Sequence, residues 1–166
     1  MPFRHTDKGW FWGSKGPFPT KAKAIAVATA AHASGFKEES EMDKNILGEF
    51  VGTLLHSATI THFMHLQAQG EGSFAKHMAL NTYYDSIVET TDSLAEAIQG
   101  CTGEIIAPYP PMFGNPDVEA LDYLKSIRDY VIANRDAVSE YSNIQNEIDN
   151  IMTLLDSTIY KLTYLR

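Results

Sequence analysis

The chain has 166 residues, 44% hydrophobic and 20% charged, which suits one domain with a good core plus a small appendage and excludes wholesale disorder. The single Cys101 excludes an internal disulfide, and no apolar run approaches the roughly 20 residues of a membrane span. The net charge of -8 hides an asymmetry, because residues 1–36 hold Arg4, Lys8, Lys15, Lys21 and Lys23 against Asp7 alone, so that arm carries +4 and the remainder -12. A basic arm permits phosphate contacts, and an acidic body attracts cations.

In chain order, Gly9 to Pro19 mixes aromatic residues with turn formers and reads as one or two short strands and a tight turn. Thr20 then caps a short alanine-rich helix to about Ala33, stopped by Ser34-Gly35. The same stretch, Lys21 to Ala33, imitates a secretory leader, but its alanine and threonine content and the aromatic residues before it argue against cleavage, and the expected compartment is the cytoplasm. Residues 1–38 form a small basic aromatic module on this reading, and residues 41–166 a second unit.

From Glu41 to Gln69 the apolar residues Ile46, Leu47, Phe50, Val51, Leu54, Leu55 and Ala58 recur with helical spacing. Gly70 and Gly72 stop that helix, Ser73 caps the next, and Gly100 ends it. Residues 100–116 contain four prolines and read as a loop, after which Asn115-Pro116 forms a cap and first-turn proline for a third helix carrying Val118, Leu121, Leu124 and Val131. A fourth helix, from about Ser139 to Tyr164, carries Ile144, Ile148, Ile151, Leu155, Ile159 and Leu162. The expected fold is therefore all-α: a four-helix bundle with one crossover connection, plus a small N-terminal strand-turn-helix appendage.

His65 and His77 flank the Gly70 turn, so a helical hairpin puts both at one end. Asp92 and Glu96 lie about 22 and 28 Å beyond His77 along the same predicted helix, at 1.5 Å rise per residue. One chain cannot gather all four around an ion. Two copies crossing antiparallel near Asp85 to Ile87 can, and the two-fold contact then creates two equal sites. Imidazole and carboxylate together suit ferrous iron.

The gapless run His65-x4-Gly70-x3-Phe74-x2-His77, followed by Tyr84, Asp92 and Glu96, resembles the mini-ferritins known as DNA-binding proteins from starved cells (Dps). The resemblance spans about residues 45–165. It implies a ferritin-like bundle, a hollow homo-oligomer of twelve subunits, and an intersubunit ferroxidase centre at which His65 and His77 of one chain and Asp92 and Glu96 of the other bind and oxidise iron. It further implies storage of the ferric product and protection of DNA from oxidative damage. Where that family has an aspartate one turn after the second histidine this chain has Asn81, a neutral oxygen ligand, and Leu66 replaces the usual tryptophan. His62 and Asp85, one helical turn from His65 and Asn81, are further metal candidates. Asn81 leaves two readings open: a ferroxidase-type enzyme, and a non-catalytic structural or DNA-compacting cage whose module recruits a partner.

The module's Trp-Phe-Trp-Gly-Ser-Lys-Gly-Pro-Phe stretch resembles short segments of tailed-phage proteins. Arg4, Lys8, Trp10, Trp12, Lys15, Lys21 and Lys23 are its candidate contacts to DNA or to a protein partner, through cation–phosphate attraction and aromatic stacking. The alternative is that Trp10, Trp12 and Phe18 simply pack the module's own core.

Overall fold

A computed structural model describes residues 3–12, 15–33, 44–139 and 141–165, the side chains at 31–33 and 44 excepted. The expected helix start at Glu41 and helix stop at Ser34-Gly35 lie outside those residues. The chain divides into two compact units, Met1–Glu41 and Met42–Arg166.

In the first unit β1 (Phe3–Thr6), β2 (Gly9–Trp12) and β3 (Lys15–Phe18) form an antiparallel sheet in that order, followed by α1 (Lys21–Ala33). The register pairs Phe3 with Trp12, Arg4 with Phe11 and His5 with Trp10. Strand alternation thus puts Arg4 and Phe11 on one face, with the guanidinium 5.4 Å from the Phe11 ring centroid. His5 and Trp10 share the other, with ring centroids 4.8 Å apart. Gly16, at φ +140°, lets β3 pass under Phe11, since a Cβ there would sit 2.8 Å from that ring. Thr20 caps α1 by accepting the Lys23 N–H at 3.2 Å. The helix packs on β2 and β3, burying Trp12, Ala24 and Ala28.

The expectation of an all-α, ferritin-like four-helix bundle with a strand-turn-helix appendage is therefore corrected. The described residues form five helices and a three-stranded antiparallel sheet, and they do not show a ferritin bundle. The aromatic run suggested one or two strands. Residues 3–6, polar at His5 and Thr6, supply the third by pairing with it.

The second unit contains α2 (Lys44–Leu66), α3 (Ser73–Thr102), α4 (Ala120–Val138) and α5 (Ser142–Tyr164). α2 packs against α3 and α4, and α5 against the same two. Their facing stripes make one apolar core that includes Phe50, Leu54, Leu80, Ile87, Leu124, Ile148 and Ile151. Within it the buried Tyr83 hydroxyl lies 2.8 Å from Ser57 Oγ, which itself donates to the Leu54 carbonyl. Burial pushes the Tyr83 phenol above its usual range.

Helix ends differ from expectation by a few residues, for identifiable reasons. Gly72, not Ser73, is the N-cap of α3, at φ +73°. Gly100 is inside α3, and Gly103 ends it at φ +70° by donating its N–H to the Gln99 carbonyl. Asn115 does not cap α4; its side-chain oxygen accepts the Asp117 N–H in a turn before Glu119, the actual N-cap. The loop between α3 and α4 runs along α2. A Cβ at Gly48 would meet the Pro108 carbonyl at 1.9 Å and one at Gly52 the Pro110 ring at 2.6 Å, so glycines four apart form the seat of that loop.

Candidate metal centre

His65 comes from the last turn of α2 and His77 from the first turns of α3, and the connection at residues 67–72 brings them face to face. Their rings stack with centroids 3.5 Å apart and 25° between planes. Each ring is also held by the other residue's backbone: His65 Nδ1 lies 2.9 Å from the His77 carbonyl, and His77 Nδ1 3.2 Å from the His65 carbonyl. A carbonyl oxygen only accepts, so both Nδ1 atoms carry a proton. In the neutral ring that tautomer leaves Nε2 as the nitrogen with a free lone pair, and a metal-binding imidazole has its other nitrogen engaged in this way. His65 is 6% exposed and His77 partly so.

Around this pair, Tyr84 organises the neighbouring turn of α3. Its ring lies edge-on to His65 at 5.2 Å and stacks on the exposed His62 at 4.2 Å. Its hydroxyl donates to Asn81 Oδ1 at 3.0 Å, and the Asn81 amide donates to Asp85 Oδ2 at 2.6 Å. Asn81 is thus oriented from both ends. An aspartate in its place would set two carboxylates side by side at Asp85.

Asp92 and Glu96 are exposed on α3, where the rise of the helix puts them about 22 and 28 Å from His77. Among the described residues, no group of three or more His, Cys, Asp and Glu within the chain could hold a metal ion. One chain therefore supplies two ring nitrogens and, far away, two carboxylates. The two carboxylates lie on one face of α3: Phe74, Met78, Asp85, Val88, Asp92 and Glu96 are all exposed and recur at helical spacing along one stripe, whose start lies near His77 in the helix. Leu66 and Phe74, 68% and 78% exposed, are large apolar side chains at its histidine end.

The family of unknown function DUF5856 matches residues 65–162, more than half of the chain. The chain belongs to that family. The DUF5856 span opens at His65 and takes in His77, Asn81, Asp85, Asp92 and Glu96, and it leaves out the first unit. No curated protein and no solved structure matches the chain.

In the first unit, the candidate contacts separate by burial. Arg4, Lys8, Lys15, Lys21 and Lys23 are exposed and Trp10 is half-buried, with the Lys21 ammonium 5.3 Å from its ring centroid. Trp12, 3% exposed, belongs to the module's core and offers no stacking surface. Among the described residues no helix is long and apolar enough to cross a membrane.

Sequence reading had no access to the mutual backbone bonds of the two histidines, because they depend on the loop conformation. It also passed over Gly48 and Gly52, whose i, i+4 spacing is a readable sign of close backbone approach.

Proposed function

We propose that the protein is a homo-oligomer that binds Fe(II) between two chains, with the Nε2 atoms of His65 and His77 from one and the carboxylates of Asp92 and Glu96 from the other, and oxidises it for storage in the manner of the Dps mini-ferritins. The observation that carries this reading is the reciprocal Nδ1–carbonyl locking of the two histidines, which leaves Nε2 of each as the nitrogen available to a ligand. A second copy crossing antiparallel near Asp85 would bring its acidic pair beside them and cover Phe74, Met78 and Val88.

Iron is the substrate. With peroxide as oxidant, two Fe(II) ions each give up one electron, the peroxide O–O bond breaks, and with two waters the products are two FeOOH units and four protons. The chain's own part is to hold the ions and to supply negative charge that stabilises the ferric form. Asn81, tied to Tyr84 and Asp85, contributes at most a neutral oxygen, and Asp85 is the nearer source of charge. The oligomer is expected to retain far more iron than its ligand sites number when Fe(II) is added without oxygen and peroxide follows. An intact oligomer that retains none would instead support the structural-cage reading.

A second reading concerns the first unit. Its five exposed cations on a compact fold favour nucleic-acid phosphate contact, with DNA bound weakly by each copy and more tightly by many copies on one particle.

A further inference from the structure

A concavity unconnected with the histidine pair lies between α2, α4 and the end of the proline loop. It encloses about 370 Å³, within the range of small-ligand sites, and is lined by Glu49, Thr53, Phe113, Tyr123, Ile127 and Tyr130, with Gly114 and Ser126 at its margin. Part of its wall is braced from behind. Tyr130 stacks on the buried Phe50 with centroids 5.9 Å apart, and its hydroxyl bonds Thr53, itself buried. Phe113 meets the His56 ring edge-on at 5.0 Å, and Gly114 is pressed against Ile60, where a Cβ would come within 2.7 Å.

The lining has a definite chemical sense. Three aromatic rings surround a space with one carboxylate at its margin, and among the described residues no ion pair engages Glu49. The phenols are neutral; burial pushes Tyr123 up to about 12 and raises Tyr130, to which the Glu49 charge adds. An anion would be repelled by Glu49, and a bare metal ion would find a single carboxylate. A neutral apolar molecule would leave the carboxylate without use. We propose that this cavity binds a small organic ammonium ion, held by the faces of Phe113, Tyr123 and Tyr130 and by the charge of Glu49.

The test uses the full chain and two probes of equal shape: choline, and the uncharged alcohol in which a tert-butyl group replaces the trimethylammonium. Calorimetric titration is expected to give choline a dissociation constant at least about tenfold lower than the alcohol, as a desolvated cation–aromatic contact implies. Glu49→Gln and Tyr123→Leu should each weaken choline about tenfold while circular dichroism stays unchanged. Should Tyr123→Leu fail to fold, the exposed Glu49→Gln still decides the matter. Equal affinity for both probes, undiminished choline binding in Glu49→Gln, or no binding at all would overturn the proposal. None of these variants touches His65 or His77, so the iron reading is tested separately.

Discussion

The two ends of the α3 stripe are built in opposite ways. At the histidine end, each ring is stacked on the other and hydrogen-bonded to backbone, and His65 is also backed by Tyr84, so their orientation is set before any ligand arrives. At the acidic end, Asp92 and Glu96 stand exposed on the surface of the helix. On the proposed reading, an oriented pair of imidazoles and an exposed pair of carboxylates would be the two halves of one cation site, each with what the other lacks. The difference teaches that any site joining the two ends needs a second copy of the chain, since about 22 Å of helix separates them within one.

The largest effect expected is at the prepared end. His77→Ala removes a ligand and the partner of His65 together, and should slow Fe(II) oxidation by at least about 100-fold in a stopped-flow assay while the oligomer persists in size-exclusion chromatography. Asp92→Ala should match it if the two halves act together; unchanged oxidation in either variant would break the comparison.

A change remote from both ends sharpens it. Gly48→Ala forces the loop away from α2, where the added Cβ has no room against the Pro108 carbonyl, and is expected to cost about 1–3 kcal/mol in urea unfolding. Iron oxidation in the folded fraction should be unaffected, because the histidine pair is held by the opposite end of α2. Loss of oxidation without loss of stability would contradict that separation.

The smallest effect concerns pH. Tyr83 and Tyr123 have phenol pKa values raised by burial, so the unfolded chain loses these protons first as pH rises. Stability should be full below about pH 10, where both states are protonated, and should fall progressively above it. An unfolding free energy that stays flat to about pH 11.5, well above the ordinary phenol pKa of about 10, would show that neither phenol is protected by the fold.

The helices of the second unit were legible because their apolar residues repeat at helical spacing, and Leu54, Leu124, Ile148 and Ile151 are indeed buried. Their ends were less so: Gly100 and Gly103 carry the same signal, and only the bond from Gly103 to Gln99 decides between them. The third strand was hidden because Phe3 to Thr6 has no pattern of its own and takes its conformation from pairing with Gly9 to Trp12. At the candidate site the spacing of His65, His77, Asp92 and Glu96 was visible in one dimension. The Nδ1 hydrogen bonds of the two rings were not, since they depend on carbonyls that only the hairpin brings into range. Trp12 looked like a contact residue by type and is a core residue by position.

The measurement that tests the central claim most directly is subunit complementation between His77→Ala and Asp92→Ala chains. Each variant alone should be inactive, and an equal mixture, dissociated and reassembled at random, should recover about a quarter of native Fe(II) oxidation, because half the two-fold pairs then hold one intact site of two. No recovery from a properly reassembled mixture, or activity in either variant alone, would contradict a site shared between chains.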